Sequence, residues 1–255
     1  MIIGITGRPG GGKSYVACHH VLEVLAARPN VLVVTNLALN LSAIQERLQA
    51  TQFSGNVVER VRLLNEEEAK KFYLHRHWQD VITEVEPQVA LRTGVFLEFQ
   101  RGAKWGPVVY VIDEAHQFYN ARAWAKNGLH VGFYLSQHRK LGDDVLLVTQ
   151  HLDKLDKQLR LDIGQYWYCR NFRRTARKIR MPGDFAIAKY DLPPGPGDEA
   201  DCVVKLKLDV KGIGACYDTS AGVGMSGNSE ADMARGADGK GWYWLIAKVI
   251  GWIGL

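Results

Sequence analysis

The feature that most constrains this chain is an eight-residue pattern near its start. Residues 7–14 read GRPGGGKS, which fits the spacing G-x-x-x-x-G-K-[ST] of a phosphate-binding loop (P-loop). The pattern follows an apolar run at residues 1–5 and opens a stretch of helix-forming composition at residues 13–27. A P-loop needs that context, because its backbone N–H groups and the positive end of the helix dipole together hold a phosphate group. The sequence therefore predicts a strand, a P-loop and a helix in succession.

Each residue type in the pattern suits nucleotide binding. Glycines let the backbone curl around a β-phosphate, Lys13 can reach the β- and γ-phosphate oxygens, and Ser14 offers a hydroxyl to Mg²⁺. ATP and Mg²⁺ are therefore the predicted cofactors. The predicted nucleotide-binding residues are Gly7, Arg8, Pro9, Gly10, Gly11, Gly12, Lys13, Ser14 and Tyr15.

A pair of acids follows a second apolar run. Residues 108–112 (VVYVI) are typical of a strand buried on both faces, and Asp113 and Glu114 come directly after it. Asp113 is predicted to hold Mg²⁺ through the ion's water shell, since Mg²⁺ keeps several waters. Glu114 is predicted to orient or deprotonate the attacking water, which favours hydrolysis over phosphoryl transfer to a small substrate. The alternative is a strand that simply ends in acids at the surface.

A third apolar run, residues 145–149 (VLLVT), also ends in a polar residue. Gln150 is our candidate for contacting the γ-phosphate or the attacking water, and Thr149 is the second candidate. An ordinary strand end is the alternative interpretation. The predicted catalytic residues are thus Lys13, Glu114 and Gln150.

Apolar runs and helix signals alternate along the first two thirds of the chain. Such alternation is typical of βαβ units and of a mainly parallel sheet flanked by helices, which is an α/β fold. Asn65 and the three glutamates after it mark one helix start. Further strands are predicted at 31–35, 57–64 and 165–169, and further helices at 41–49, 65–78, 130–141 and 153–161.

The C-terminal part differs in composition. The breaker run LPPGPG covers residues 192–197, residues 203–210 alternate as a half-exposed strand does, and small residues dominate from 219 onwards. We therefore predict four parts: a P-loop domain (1–190), a small β appendage (191–218), a flexible linker (219–241) and an apolar C-terminal segment (242–255).

The C-terminal segment predicts membrane association. Residues 242–255 (WYWLIAKVIGWIGL) contain three tryptophans and a tyrosine, which favour the headgroup zone of a bilayer. As a helix of about 21 Å, the segment is shorter than the roughly 30 Å hydrocarbon layer. It is therefore an interfacial anchor on an anionic membrane or the first half of a longer span, with a helix docked on the domain as the alternative.

Three segments together resemble one protein family. GITGRPGGGKSY, VIDEAH and HRKLGDDVLLVTQHLDKLD look like the zonula occludens toxin-like (Zot) proteins, the filamentous-phage assembly ATPases of the bacterial inner membrane. The resemblance covers roughly residues 1–175. A P-loop alone is shared by very many proteins, whereas VIDEAH followed about 30 residues later by VTQH is much more specific.

This resemblance implies a fold, an activity and a location. The fold would be a P-loop NTPase of the ASCE type, in which one strand lies between the P-loop strand and the Asp-bearing strand. The activity would be ATP hydrolysis that drives export of phage DNA coated with capsid protein, at the cytoplasmic face of the bacterial inner membrane. We expect a homo-oligomeric ring, with phage assembly and coat proteins and single-stranded DNA as further partners.

Charge adds a candidate surface. The net charge of +5 is a mild excess that permits contact with nucleic acid or an anionic membrane without requiring it. Residues 170–180 (RNFRRTARKIR) hold six cations and no acid. This basic strip is predicted to contact DNA, to supply an arginine finger to a neighbouring subunit, or to form a solvated edge near lipid. The arginine-finger candidates are Arg139, Arg160, Arg173 and Arg174.

Two other function classes stay open. One is a DNA translocase or packaging ATPase, whose turnover should rise when DNA is added. The other is a P-loop nucleotide kinase, for which Arg92 and Arg101 lie where a lid could be. A two-lobed DEAH helicase is not expected, since 255 residues hold one motor lobe. The four cysteines show no CxxC pair, which argues against a zinc site or a disulfide framework.

Overall fold

The computed structural model describes residues 1–50, 53, 55–76, 80–102, 106–121, 124–172, 184–195, 197–209 and 211–218. The predicted linker (219–241), the apolar segment (242–255) and the finger candidates Arg173 and Arg174 lie outside the described residues.

An eight-stranded sheet forms the centre of the described chain. Its strand order is β10-β9-β8-β1-β7-β6-β2-β3, while β4 and β5 form a separate antiparallel pair. Neighbours from β8 across to β3 pair in parallel, and β9 and β10 pair antiparallel at the other end. The strands are β1 (Ile2–Thr6), β2 (Leu32–Thr35), β3 (Val61–Leu63), β4 (Val81–Glu84), β5 (Leu97–Gln100), β6 (Val108–Ile112), β7 (Asp144–Thr149), β8 (Gln165–Asn171), β9 (Phe185–Tyr190) and β10 (Cys202–Leu206).

Helices cover both faces of this sheet, so the predicted α/β class is confirmed. Two separate apolar cores result: one lies between the sheet and α1 and α2, and the other between the sheet and α6, α7 and α8. The helices are α1 (Lys13–Ala27), α2 (Leu41–Gln49), α3 (Val57–Arg60), α4 (Glu66–Lys70), α5 (Pro87–Thr93), α6 (Ala115–Phe118), α7 (Trp124–Leu141) and α8 (Lys157–Leu161). No helix in the described ranges is long and apolar enough to cross a bilayer.

The three central strands explain the apolar runs of the sequence. All residues of β1 and β6, and all but the first of β7, are buried, because helices pack on both sides of them. β7 lies between β1, which leads into the P-loop, and β6, which leads into Asp113. This is the strand order that an ASCE-type fold requires.

Three predicted elements differ in the structure because local caps and tertiary contacts divide them. Residues 57–64 begin as the one-turn helix α3, since Asn56 accepts a hydrogen bond from the N–H of Val58. Buried Arg60 then donates to the Leu25 carbonyl at the end of α1. The cap at Asn65 is confirmed, but α4 ends at Lys70 and a 3₁₀ turn follows. Predicted helix 153–161 is likewise two pieces, a 3₁₀ turn and α8.

The β part after residue 190 continues the main sheet. β9 and β10 form an antiparallel hairpin, so the predicted boundary between 190 and 191 falls within it. The hydroxyl of Tyr15 on α1 donates to the Lys207 carbonyl and accepts from the N–H of Asp209. β10 ends at Leu206 rather than at residue 210, and β9, which has no counterpart in the predicted elements, joins β10 to β8.

Candidate nucleotide-binding site

The P-loop connects the carboxyl end of β1 to the first residue of α1. Gly12 has a φ of 90°, which L-residues rarely adopt, and a Cβ there would lie 2.5 Å from the ring of Phe185. At Gly7 a Cβ would lie 2.3 Å from the carbonyl oxygen of Cys169. The packing of β8 and β9 against the loop therefore excludes any larger side chain at these two positions.

Hydrogen bonds hold the loop in its turn. The N–H of Gly11 donates to the Arg8 carbonyl at 2.8 Å. The side-chain amide of Asn171, at the end of β8, donates to the Gly10 carbonyl at 3.1 Å. The loop is thus supported by a neighbouring strand as well as by its own backbone.

Lys13 is the first residue of α1 and is buried. Within the described part of the chain, no hydrogen bond or ion pair reaches its ammonium group. A buried, unpaired cation is costly, so this group suits an anionic ligand at the positive end of the helix. Lys13 thus lies directly after the P-loop, at the amino end of α1.

Ser14 and Asp113 meet at the same edge of the sheet. The Ser14 hydroxyl donates to Asp113 Oδ2 at 3.0 Å. Burial raises the pKa of Asp113, and this effect outweighs the hydrogen bonds from the Glu114 N–H and from Ser14. The hydroxyl of Ser14 and the carboxylate of Asp113, whose negative charge is only partly stabilised, supply hard oxygen ligands. These two residues therefore fit Mg²⁺, with water completing its coordination shell.

Asn36 is a site residue that the sequence interpretation missed. It follows β2, and its side-chain amide pairs with the peptide of Asp113: Oδ1 accepts from the Asp113 N–H at 2.7 Å, and Nδ2 donates to the Asp113 carbonyl at 3.0 Å. This double contact fixes the backbone on both sides of the Asp113 side chain. The signal was available, since Asn36 is a polar residue directly after an apolar run, as Gln150 is.

Glu114 has an unusual backbone. Its φ of 48° is left-handed, and no other non-glycine among the described residues has a positive φ. Such a conformation costs about 1–2 kcal/mol and is typical of functional sites. Gln150 Nε2 lies 3.5 Å from Glu114 Oε1, and His116 Nδ1 lies 3.2 Å from Oε2. The structure therefore brings the predicted residues Glu114 and Gln150 together.

The finger candidates in the described ranges lie away from the P-loop of their own chain. Arg139 is exposed near the end of α7, beside Gly164, whose N–H donates to the Ile2 carbonyl at the amino end of β1. Arg160 on α8 pairs with Asp153 at 2.9 Å. Neither arginine contacts the nucleotide site within one chain, and a role in trans stays a prediction.

Other polar clusters do not compete with this site. Among the described residues, no group of three or more His, Cys, Asp or Glu side chains could hold a metal ion. The four cysteines are free, and burial raises the pKa of both Cys18 and Cys169 to about 12. These two thiols are therefore neutral at physiological pH.

The fold and the site define a class of protein. A P-loop between β1 and α1, an acid pair after β6 and an intervening strand β7 make the chain a P-loop NTPase of the ASCE type.

The family follows from sequence comparison. The profile described as zonular occludens toxin (Zot) matches residues 1–210, so the chain belongs to the Zot family and the predicted resemblance is confirmed. No curated protein sequence is similar enough to this chain to count as a match.

Solved structures show similar chains. The N-terminal domain of zonular occludens toxin from Neisseria meningitidis has 16% identity and a TM-score of 0.44, over 85% of this chain and 98% of that one. The DNA-packaging ATPase B204 from Sulfolobus turreted icosahedral virus has 20% identity and a TM-score of 0.44, over 74% and 91%. The genome packaging NTPase B204 from Sulfolobus turreted icosahedral virus 2, in complex with ATP-gammaS, has 16% identity and a TM-score of 0.46, over 81% and 98%.

Proposed function

We propose that this protein is a MgATP-hydrolysing motor for filamentous-phage assembly and export. It works at the cytoplasmic face of the bacterial inner membrane, as a homo-oligomeric ring, with phage assembly and coat proteins as partners. The observation that carries the proposal is the meeting of Lys13, the Ser14–Asp113 pair and Glu114 at one edge of the sheet, in a member of the Zot family.

The site residues divide the work of hydrolysis. P-loop N–H groups and Lys13 bind the β- and γ-phosphates, while Ser14 and Asp113 hold Mg²⁺, which neutralises phosphate charge when it is bound. Glu114 accepts a proton from water as the water oxygen bonds to the γ-phosphorus. The bond from that phosphorus to the bridging oxygen breaks, so ADP and phosphate leave. Gln150 orients the water or Glu114, since it lies beside both the acid and β1.

Hydrolysis is favoured over phosphoryl transfer by the position of Glu114. Its carboxylate is part-exposed at the strand edge and is flanked by Gln150 and His116. A nucleotide kinase would need a lid with arginines over the phosphates, whereas Arg101 donates to the Leu141 carbonyl, which lies before β7 at the opposite end of the sheet from the P-loop.

DNA translocation is the second candidate, because six cations cluster in residues 170–180. The two candidates differ in what should stimulate turnover. Single-stranded DNA should raise the rate of a translocase, and the effect should fall steeply with salt. An export motor anchored by residues 242–255 should instead respond to anionic vesicles.

The test measures ATP turnover of the full chain alone, with single-stranded phage DNA, and with vesicles containing anionic or only zwitterionic lipid. We expect Mg²⁺-dependent hydrolysis that rises with anionic vesicles, and co-flotation of the full chain but not of a chain ending at Gly241. Turnover that responds to DNA alone would favour the translocase. Phosphate transfer to a nucleoside monophosphate in place of phosphate release would contradict both.

Export itself needs a test in cells. In bacteria producing the parent phage, Lys13→Ala should abolish release of phage particles while intracellular phage DNA still accumulates. Normal release from such cells would contradict the assembly role even if the purified protein hydrolyses ATP.

A further inference from the structure

The two carboxylate oxygens of Glu114 have different surroundings. Oε1 lies 3.5 Å from the side-chain amide of Gln150. Oε2 is closed off from solvent, and no conventional hydrogen bond reaches it from the residues that the structure describes. The group that faces it is Nδ1 of His116, at 3.2 Å. Because a shielded carboxylate oxygen without a donor is costly, this imidazole nitrogen is the donor that the site offers.

The hydrogen bonds of Thr149 indicate which ring nitrogen of His116 carries the proton. Its hydroxyl lies 3.1 Å from His116 Nδ1 and donates to the backbone carbonyl of His151 at 3.3 Å. A hydroxyl has one proton, so Thr149 is left to accept from the ring. With Thr149 accepting, we assign the ring proton of His116 to Nδ1, where it faces both the Thr149 hydroxyl and Glu114 Oε2.

These contacts connect the acid to the strand that leads into the P-loop. The Thr6 hydroxyl, at the end of β1, donates to the Gln150 carbonyl at 3.0 Å. Thr149 is fully buried at the end of β7. Both oxygens of Glu114 therefore face groups that contact the carboxyl ends of the neighbouring strands β7 and β1.

We propose that His116 is a positioning residue for ATP hydrolysis, which aims the Glu114 carboxylate through its Nδ1–H. The proposal rests on the proposed function, in which Glu114 accepts the proton of the attacking water. His116 touches neither water nor nucleotide in this role. Its loss should therefore slow the chemical step and leave ATP binding unchanged.

Three substitutions separate this role from packing. His116→Ala removes the donor, His116→Asn puts an amide N–H near the place of Nδ1, and His116→Gln puts one near the place of Nε2. We expect kcat to fall by about 10- to 100-fold in the Ala and Gln variants, because a misplaced catalytic group costs about that much. The Asn variant should keep kcat within about threefold, and KM for ATP should stay within about twofold in all three.

Two further variants complete the experiment. His151→Ala is the matched control, since that side chain is exposed, and it should leave kcat unchanged. Thr149→Val removes the hydroxyl that fixes the ring and should lower kcat. Combined with His116→Ala, it should lower kcat no further, because both act through one contact.

Contrary results have distinct meanings. Unchanged kcat in His116→Ala overturns the inference, as does an equal loss in the Ala, Asn and Gln variants together with a lower melting temperature. If Glu114→Gln hydrolyses ATP slowly while His116→Ala is normal, only the positioning role fails. If Glu114→Gln turns over at the normal rate, the proposed role of Glu114 fails and the inference fails with it.

Discussion

Polar groups at the two ends of the central strands differ in how far they are paired with one another. At the carboxyl ends lie the P-loop, the strained Glu114 and the ammonium of Lys13, which no hydrogen bond or ion pair from a described residue reaches. At the amino ends lies an ion-pair cluster that is buried and well satisfied. Arg76 Nε and Nη2 each lie 3.1 Å from one oxygen of Asp143, which is the residue before β7.

In the amino-end cluster, both carboxylate oxygens of Asp143 accept hydrogen bonds. The Val108 N–H donates to Oδ1 at 2.9 Å and the Tyr134 hydroxyl donates to Oδ2 at 2.8 Å, while Arg76 also pairs with Asp80. Burial disfavours the charge on Arg76, yet the attraction and hydrogen bonds of Asp143, together with the hydrogen bond to Asp80, outweigh it and raise the pKa of Arg76. A satisfied network of this kind rigidifies a fold.

The difference indicates which polar groups stabilise the fold and which serve the nucleotide site. Arg76, Asp80 and Asp143 satisfy one another at the amino ends, so removing one partner leaves a buried charge without compensation. At the carboxyl ends, Lys13 and one oxygen of Glu114 have no hydrogen-bond partner among the described residues, so removing either side chain should cost activity and little stability. Substitutions at the two ends should therefore have opposite effects on turnover and on the free energy of unfolding.

The largest expected effect is that of Lys13→Ala, which should reduce ATP turnover to background and abolish tight MgATP binding. No hydrogen bond or ion pair joins its ammonium to another described side chain, so the free energy of unfolding should change by less than about 1 kcal/mol. Turnover, nucleotide binding and urea unfolding check this, with exposed Lys140→Ala as the matched control. Undiminished turnover would remove the P-loop assignment.

Glu114→Gln should lower kcat by about 10²- to 10⁴-fold and keep ATP affinity near normal, because the amide cannot accept a proton. Asp113→Asn should instead weaken Mg²⁺-dependent binding. Single-turnover hydrolysis and binding measured across a Mg²⁺ series separate the two, with exposed Glu98→Gln as control. If the two site variants behave alike, the separate roles of the acids are wrong.

Arg76→Ala should lower the free energy of unfolding by about 3–5 kcal/mol, since Asp143 is left as an uncompensated buried charge. Turnover per folded molecule should be unchanged. Exposed Arg92→Ala, on α5, should change stability by less than about 0.5 kcal/mol. Urea unfolding measures the stability of both variants, and turnover is measured at urea concentrations below the unfolding transition. Equal stability of the two variants would contradict the contrast between the two ends.

Glu114→Gly should inactivate the protein and yet stabilise it by up to about 1 kcal/mol. Glycine adopts a φ of 48° without the side-chain cost, although its freedom in the unfolded chain offsets part of the gain. Thermal unfolding of this variant beside Glu114→Gln separates backbone strain from loss of the carboxylate. A lower melting temperature in the glycine variant would show that the contacts of Glu114 outweigh its strain.

Much of this fold could be predicted from the sequence where local pattern and burial agree. The predicted bounds of α1, α2 and β6 match those observed, because capping signals or all-apolar runs define them. Residues 57–64 could not be predicted correctly, since Arg60 finds its partners about 30 residues earlier in the chain, at the carbonyls of Leu25 on α1 and of Arg28 and Val31 after it. β9 escaped prediction because its position depends on pairing with β8 and β10.

The site was predictable to the level of residue types at strand ends. Parallel strands bring their carboxyl ends to one edge, so Ser14, Asp113, Glu114 and Gln150 meet there as expected. The left-handed backbone of Glu114 has no signature in the sequence. The position of His116 Nδ1, 3.2 Å from Glu114 Oε2, likewise emerges only from the structure.

The sheet order also fixes when the site can form during synthesis. A ribosome makes β1 and the P-loop first, but both neighbours of β1 are made more than 130 residues later, as β7 and β8. The hydrogen bond from Tyr15 to Lys207 spans 192 positions. We therefore expect the P-loop glycines to lack these contacts until nearly the whole domain has left the exit tunnel. Nucleotide binding should then become possible only in one of the last steps of folding.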